Sequence, residues 1–452
     1  MIFADRAVLG DQWANQVRVS VSDGAITAIA ADTLPQPDDV HVSALLPALS
    51  NLHSHSFQRA MAGMTEHRAA GQDSFWTWRD LMYRFMDRLT PEQIEAIAAL
   101  VFMEMQEAGF AAVGEFHYVH HQPGGTPYSN PAELSARIFA AAATTGIGLT
   151  HLPVLYTYGG AGARPLAAGQ MRFGNSVDQF ASLLDAVHRQ VTHLPPDTKV
   201  GIAPHSLRAT NPADLAQVLT LAHDGPVHIH VAEQPKEVAD VSAWLGAPPV
   251  EWLLDHTAIN ANWCAIHATH MTEAETKRLA QTGAVAGLCP ITEANLGDGP
   301  FNGPGWLRAG GQFGIGSDSN VRISLTEELR TLEYSQRLRD IRRNIMVEPA
   351  GSVGQSLYLG AATGGAQALG RKSGQIAPGY LADLVAIDLT HPSLCALRPA
   401  QILDGLVFAA PDTVVTDLWS AGRHQVRQGR HIDHDSIVKS WRRAVTALMA
   451  AM

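Results

Sequence analysis

The sequence predicts an α/β protein: a (β/α)8 barrel of the TIM type that carries a small β-sandwich made from its two terminal segments. Two observations indicate this fold class. Short apolar runs alternate with longer helical patterns through the middle of the chain, which is typical of a closed parallel barrel. Both ends instead alternate polar and apolar residues between turns, as half-exposed antiparallel strands do. A length of 452 residues suits one large barrel with a smaller attached unit.

The two ends of the chain are predicted to contribute to the same β-sandwich. QVRVSVSDGAITAIA near the start and GYLADLVAIDL near the end are both interpreted as short strands of this unit. We therefore assign residues 1–47 and 370–434 to the sandwich and residues 48–369 to the barrel. Residues 435–452 have helical spacing and few helix breakers, which predicts a C-terminal helix.

Eight apolar runs are predicted to be the barrel strands. In chain order they are ALLPALSNLHSH, AAVGEFHYVHH, GLTHLPVLY, KVGIAPHSL, PVHIHVAE, WCAIHATH, AVAGLCP and FGIGSDSN. Most of these runs carry His, Asp or Glu at or close to their carboxyl ends. Apolar strands that end in titratable groups would build a poor core, whereas the carboxyl ends of barrel strands carry the chemistry in this fold. The pattern therefore predicts a functional site at the mouth of the barrel.

Composition excludes several classes of function. The formal net charge of −11 argues against a general binder of nucleic acid or of anionic membranes, because the mean field repels phosphate. The three cysteines lie far apart without CxxC spacing, so a reducing compartment is expected. The first residues lack the pattern of an export signal, and no run approaches about 20 apolar residues. We expect a cytoplasmic enzyme with a small-molecule substrate.

Polar residues at the ends of four strands predict a metal site. In chain order they are His53, His55, His230, Glu233, His267 and Asp318. His53 and His55 are two positions apart, so both side chains lie on one face of a strand. Three neutral imidazoles and one carboxylate suit a divalent transition ion, zinc first and iron as the alternative. A remaining coordination position would hold water, whose pKa the ion lowers to about 7.

The order of HxH, HxxE, a later His and SD is similar to the deaminase branch of the amidohydrolase superfamily. PALSNLHSH and GQIAPGYLADLVAID also resemble that family, so the resemblance covers essentially the whole chain. The resemblance implies the metal ligands His53, His55, His230 and Asp318. Binuclear relatives use a carboxylated lysine at the end of strand four. Lys199 lies at the start of that strand, so a single ion is expected.

The same resemblance implies the roles of three catalytic residues. Asp318 would accept a proton from the bound water while it ligates the metal. Glu233 would protonate the nitrogen that leaves as ammonia. His267 would steady the developing oxyanion or orient the substrate, and such fixed polar groups are often the largest catalytic contribution. The predicted reaction removes ammonia from a C=N carbon.

A closer resemblance exists to the formimidoylglutamate deiminases of histidine degradation, which convert N-formimino-L-glutamate and water to N-formyl-L-glutamate and ammonia. NLHSHSFQRAMAG, DSFWTWRDLMY, GEFHYVHH, PHSLRA and GSDSNVRISLTEELR carry it. A dicarboxylate substrate requires cationic and hydroxyl groups at the barrel mouth. The residues expected to bind it are Arg79, Tyr118, His205 and Arg208, and the resemblance adds Gln58 at the formimino end.

Two other functions stay open at this point. A deaminase of the same branch that acts on guanine, cytosine or a thioadenosine would carry identical metal motifs, although its pocket would favour stacking aromatics and amides over two arginines. A non-catalytic barrel would usually have lost ligands, and this chain keeps every one. A homodimer is expected because barrels of this family commonly associate through their faces.

Overall fold

The computed structural model describes residues 1–67 and 74–451, with the side chain of residue 451 left out. Met452, the last residue of the predicted C-terminal helix, and Asp73, the first residue of the DSFWTWRDLMY motif, lie outside the described residues. No described helix combines the length and the apolar character needed to cross a membrane.

The described strands follow in chain order. They are β1 (Ile2–Leu9), β2 (Gln12–Ser22), β3 (Ala25–Ala30), β4 (Val40–Pro47), β5 (Leu49–Ser54), β6 (Phe110–His117), β7 (Gly148–Leu155), β8 (Lys199–Val200), β9 (Ala203–Pro204), β10 (Val227–Val231), β11 (Trp263–His267), β12 (Val285–Leu288), β13 (Gln312–Ile315), β14 (Leu384–Ile387), β15 (Val415–Ser420), β16 (Arg423–Arg427) and β17 (Arg430–His431).

The α-helices lie mostly between these strands. They are α1 (Phe75–Met86), α2 (Pro91–Glu107), α3 (Glu133–Thr145), α4 (Val177–Val191), α5 (Pro212–Leu219), α6 (Pro235–Leu245), α7 (Pro249–His256), α8 (Glu273–Gln281), α9 (Pro290–Leu296), α10 (Gly303–Arg308), α11 (Leu325–Asp340), α12 (Val353–Ala368), α13 (Ile402–Phe408) and α14 (His434–Ala451). Short 3-10 helices lie at Ser56–Met61, Pro123–Gly125, Ala168–Gln170, Pro399–Gln401 and Asp412–Val414.

The predicted barrel is confirmed, with β8 and β9 as two pieces of its fourth strand. β5 to β8 pair in parallel in one sheet, β9 pairs with β7, and β10 to β13 pair in parallel in another. Two isolated parallel bridges join these sheets, Ile202 to Val227 and Ser54 to Asp318. The second bridge connects the first strand to the segment after the eighth, and so closes the ring. Inside it, a Cβ on Gly314 would lie 2.4 Å from Leu52 Cδ2, so glycine leaves the space that Leu52 fills.

The two ends of the chain form a separate sheet, as predicted. Its eight strands are continuous in the order β17-β16-β15-β14-β4-β1-β2-β3, and β14 joins the two ends by pairing antiparallel with β4. Its own buried cluster includes Val19, Leu45, Leu384 and Trp419. β4, the last sheet strand of the N-terminal segment, ends at Pro47, and the barrel begins with β5. After α12 ends at Ala368, the chain returns to the sheet at β14.

A buried ion cluster joins this sheet to the barrel. Arg371, whose side chain is fully buried, donates to Asp383 just before β14 and to Asp197 just before β8. Arg423 on β16 adds a bidentate pair with Asp197 at 2.7 and 2.9 Å. A Cβ on Gly148 would lie 2.6 Å from Arg371 Nη2, so glycine makes room for the guanidinium. Removing one partner of such a pair leaves a buried charge, which costs about 3–5 kcal/mol.

Three buried histidines, His117, His120 and His151, pack next to one another, and His151 contacts α3. His151 Nε2 lies 3.0 Å from Ser135 Oγ, and the His117 ring lies 5.3 Å from the His151 ring and 5.6 Å from the His120 ring. Burial lowers the pKa of His151 to about 3. Burial and the neighbouring imidazoles also hold the pKa values of His117 and His120 well below the usual value. The folded protein therefore keeps these rings neutral.

We expect the free energy of unfolding to fall as the pH drops below about 6.5. Below that pH the three histidines bind protons in the unfolded chain but stay neutral in the folded protein. His151→Gln should flatten this dependence by about 1.4 kcal/mol per pH unit between roughly pH 5.5 and 4. The measurement is urea unfolding over a pH series. The exposed His188 provides the control, since His188→Gln should keep the wild-type slope. Equal slopes for wild type and His151→Gln would contradict the expectation.

Candidate metal centre and substrate cavity

Four side chains converge at the mouth of the barrel. His53 and His55 come from the end of β5, His230 from β10, and Asp318 from the segment after β13. One potential ligand atom from each lies within 4.8 Å of the others, and all four residues are buried. Asp318 Oδ1 lies 3.4 Å from His53 Nε2 and 3.2 Å from His55 Nε2. His53 Nε2 and His230 Nε2 are 3.0 Å apart.

The hydrogen bonds behind these imidazoles fit a metal ion. His55 Nδ1 lies 3.0 Å from Phe116 O, and His230 Nδ1 lies 3.2 Å from His205 O. Because a carbonyl can only accept, both Nδ1 atoms carry the proton and both Nε2 atoms present lone pairs to the centre. Ligands held about 2.0–2.1 Å from a tetrahedral ion would lie roughly 3.3 Å from one another, close to the separations observed. Burial lowers the pKa of His53 to about 3, so this imidazole is neutral as well.

Asp318 is held in a strained backbone conformation by its neighbours. Its φ is 45°, in the left-handed region that costs a non-glycine residue about 1–3 kcal/mol. Asn320 Nδ2 donates to Asp318 O at 3.0 Å, and Asn51 binds both the N–H and the Oγ of Ser317. This network was missed by the sequence analysis, because a buried asparagine within an apolar strand carries no local signal of its role.

Glu233 and His267 lie beside the four converging residues. Glu233 Oε1 is 3.8 Å from His267 Nε2, and His267 Nδ1 is 3.2 Å from Glu293 Oε1. Burial alone would lower the pKa of His267, but Glu233, Glu293 and Asp318 outweigh it and raise the value to about 10. Glu293 on α9 therefore orients the imidazole. The sequence did not reveal it, since it lies on a helix rather than at a strand end.

The structure brings all five residues predicted to bind the substrate to one cavity. The cavity has a volume of about 190 Å³, and His55, His230, Glu233, His267 and Asp318 also line it. The five residues are Gln58, Arg79, Tyr118, His205 and Arg208. Gln58 belongs to the 3-10 helix after β5, Arg79 to α1, and the other three to segments that follow barrel strands. The cavity therefore joins the metal-ligand group to the predicted substrate residues.

Several buried polar atoms of this cavity have no hydrogen-bond partner in the described part of the chain. They are Gln58 Oε1, Arg79 Nε and Arg208 Nε. Gln58 Nε2 donates to Tyr118 Oη at 2.9 Å, which aims the amide and leaves its oxygen available. Buried polar groups are normally hydrogen-bonded, so such unpaired atoms in a cavity point to a polar ligand.

Three cationic side chains of the cavity lie close to the indole ring of Trp76. The guanidinium carbon of Arg79 lies 4.7 Å from the Trp76 ring centre, that of Arg208 6.0 Å, and Lys236 Nζ 5.8 Å. Arg208 Nη2 also donates to Glu233 Oε2 at 3.0 Å. Arg164, from the loop after β7, lines the cavity too. The sequence did not predict that Arg164 and Lys236 line the cavity. Arg164 lies in a long loop and Lys236 at the start of a helix, and neither position indicates a side chain at the barrel mouth.

Comparison with known proteins agrees with this geometry. The model of the amidohydrolase family matches residues 44–424, and the model of the N-terminal domain of formimidoylglutamate deiminase HutF matches residues 1–42. The formimidoylglutamate deiminase of Pseudomonas aeruginosa is 47% identical over 443 residues, which cover 97% of each chain.

Solved structures give the same result. The crystal structure of an amidohydrolase from Brucella melitensis is 48% identical, with a TM-score of 0.95 over 99% of both chains. An adenosine deaminase from Xanthomonas campestris with bound zinc is 25% identical, with a TM-score of 0.81 over 99% of this chain and 98% of that one. Because the family model spans most of the chain and the Pseudomonas relative is similar along nearly all of it, the chain belongs to the amidohydrolase family and, within it, to the formimidoylglutamate deiminases.

Proposed function

We propose that this chain hydrolyses N-formimino-L-glutamate to N-formyl-L-glutamate and ammonia, a step of histidine degradation. One observation carries the proposal: a metal-ligand group and an arginine-rich wall line the same cavity. The curated Pseudomonas aeruginosa relative is named for this activity. The substrate has a formimino carbon at one end and two carboxylates at the other, which match these two sides.

His53, His55, His230 and Asp318 would hold one divalent ion, and we propose zinc, with iron as the alternative. Three imidazoles and a carboxylate suit either ion, and the Xanthomonas campestris neighbour carries zinc. Such an ion, when bound, supplies the Lewis acidity that lowers the pKa of water to about 7. Lys199 is half of the two-residue strand β8, at the start of the fourth barrel strand, and so cannot supply a lysine ligand at the mouth.

The chain's own groups would move the protons. Asp318 accepts one proton from the attacking water through the carboxylate that lies beside His53 and His55. Glu233 protonates the nitrogen that leaves as ammonia. His267, aimed by Glu293, donates to the oxygen that becomes negative on the attacked carbon.

The cations would bind the two carboxylates. Arg79 Nε makes no hydrogen bond, and Arg208 Nε makes none either, although Glu237 Oε2 lies 3.9 Å from it while Nη2 is bonded to Glu233. Arg164 and Lys236 add positive charge at the same cavity. Gln58 Oε1 would accept an N–H from the formimino group. Tyr118 and His205 close the wall beside it.

A heterocyclic substrate is favoured less by this cavity. A stacked ring would need an open aromatic face, and the face of Trp76, one of the indoles that line the cavity, is already surrounded by cations. Three cations already lie within about 6 Å of its ring centre. This arrangement repels a cationic ligand and attracts an anionic one, which supports the dicarboxylate.

We further propose a homodimer that forms through the end of α11. Tyr334, Leu338 and Ile341 are 41%, 82% and 91% exposed and recur at helical spacing, so they form one apolar face. Ile341 caps the helix with φ of 52°, a conformation that suits glycine far better than a β-branched residue. An exposed, strained isoleucine is explained by burial against a second copy. We also propose a cytoplasmic location, since the three cysteines are free.

Metal-replete protein should release ammonia rapidly from N-formimino-L-glutamate and not from guanine or cytosine. Arg79→Met should raise KM for this substrate by roughly 10–100-fold, because a charge-assisted contact to a carboxylate is worth about 1.5–3 kcal/mol. Arg84→Met is the matched control, because Arg84 lies exposed on the same helix α1. Ammonia release from a heterocycle with none from formiminoglutamate would overturn the proposal.

Glu233→Gln should lower kcat by about 10²–10⁴-fold, the usual contribution of a proton-transferring side chain. Its metal content, measured by mass spectrometry, should match that of wild type, because Glu233 is not one of the four converging residues. Glu273→Gln, on the exposed side of α8, should leave both quantities unchanged. Near-normal turnover of Glu233→Gln would refute the proton-transfer role.

Leu338→Glu should convert the dimer to a monomer in sedimentation velocity, because it places a charge in the centre of the α11 face. Leu34→Glu is the control, since Leu34 is also largely exposed (74%) but lies in the loop between β3 and β4 rather than on α11. A monomeric wild type at micromolar concentration, or a Leu338→Glu variant that stays dimeric, would exclude this interface.

A further inference from the structure

A second group of potential ligands adjoins the first. His267, Cys289 and Asp318 each offer a ligand atom within 4.8 Å of the other two, and all three residues are buried. His267 ends β11, Cys289 follows β12, and Asp318 follows β13. Three successive barrel strands therefore bring imidazole, thiol and carboxylate together at the wall of the cavity, which His267 and Asp318 line, and Cys289 has no part in the reaction proposed above.

Asp318 belongs to both groups, and its two oxygens lie near different neighbours. Its Oδ1 lies 3.2–3.4 Å from the Nε2 atoms of His55 and His53. Its Oδ2 is instead 3.9 Å from His267 Nε2. A carboxylate in this position can bridge two ions, as carboxylates do in two-metal sites whose ions are about 3.5–4 Å apart.

Cys289 is suited to a thiophilic ion. The residue is fully buried, and its thiol makes no hydrogen bond to any described residue. Its backbone N–H donates to Glu293 Oε1 at 2.8 Å, which fixes the strand end that carries the thiol. The carboxylates of Asp318 and Glu293 lie close to this strand end, and their negative charge would favour a cation there. Thiolate ligands select soft ions over Mg²⁺ or Mn²⁺.

We propose that His267, Cys289 and Asp318 form a second, inhibitory cation site that takes thiophilic divalent ions such as Cd²⁺ or excess Zn²⁺. On binding, the Cys289 S–H bond and the His267 Nε2–H bond break, a sulfur–metal bond and a nitrogen–metal bond form, and both protons go to solvent. No oxidation or reduction is involved.

Inhibition follows from which atoms the second ion would engage, and this part rests on the proposed function. His267 Nε2 and Asp318 Oδ2 would become ligands, so His267 could no longer donate to the substrate and Asp318 could no longer accept a proton freely. The first ion would stay in place, because its four ligands contribute other atoms. Excess thiophilic metal would therefore stop turnover without stripping the enzyme.

The test titrates Cd²⁺ into enzyme that carries one ion per chain, in a Cys395→Ser background that removes the exposed thiol. Total bound metal is counted by mass spectrometry after gel filtration. Thiolate-to-Cd²⁺ charge-transfer absorption is recorded, and ammonia release is followed in parallel. Wild type in this background should gain a second ion and the absorption band while it loses activity. Mg²⁺ at the same concentration should do none of this.

Cys289→Ala should keep one ion, show no absorption band and retain basal activity. Inhibition of this variant should need a Cd²⁺ concentration at least about tenfold higher, since even residues that only support metal ligands change metal affinity by 10–100-fold. Cys289→Ser keeps the side-chain size and should behave alike, which guards against a packing defect. Cys264→Ala is the control, because Cys264 is equally buried on β11 but outside the group. It should respond as wild type does.

A second ion that binds Cys289→Ala as strongly as wild type, or a wild type that never binds one, would overturn the site. The metal count and the absorption band need no substrate, so they test the site even if the proposed reaction is wrong. A second ion that binds through Cys289 without loss of turnover would overturn the inhibitory role alone.

Discussion

The backbone exchange that closes the barrel is the contact on which the candidate site depends. Asp318 N–H donates to His53 O and His55 N–H donates to Asp318 O, both at 2.9 Å. These two bonds join the first strand to the segment after the eighth and set the carboxylate against two imidazoles. This arrangement holds Asp318 in a left-handed backbone conformation, which is energetically unfavourable for a residue other than glycine. The hydrogen bonds of Asn51, Ser317 and Asn320 offset that strain. Barrel closure and metal-ligand geometry are thus a single feature.

The cavity is rich in positively charged side chains although the protein as a whole has a negative net charge. The protein has a formal charge of −11, yet three arginines and a lysine line one cavity. Glu233 sits where these cations meet the metal-ligand group, bonded to Arg208 on one side and near His267 on the other. A carboxylate drawn to Arg208 would compete with Glu233 for its guanidinium, so in the proposed reaction anion binding and proton transfer would be coupled.

Much of the fold and of the site could be predicted, for identifiable reasons. The strands were recognisable because β5, β6 and β7 are buried along their whole length, and β5 and β6 end in polar residues. Parallel strands in a barrel place those ends at one rim, so His53, His230 and Asp318 could be expected to meet. Residues that reach the site from helices or loops, such as Glu293 and Arg164, gave no comparable signal. Their sequence neighbourhoods are those of ordinary surface segments.

The sequence by itself determined which chemical groups are available and at which strand ends they lie, because both follow from local patterns of burial and from residue type. The tertiary structure alone decided how distant groups share partners. It pairs Arg208 with Glu233, turns the two oxygens of Asp318 toward different neighbours, and places Cys289 next to His267. These relations are separations of a few ångströms between residues far apart in the chain. Packing of the whole barrel sets such distances, and no local pattern encodes them.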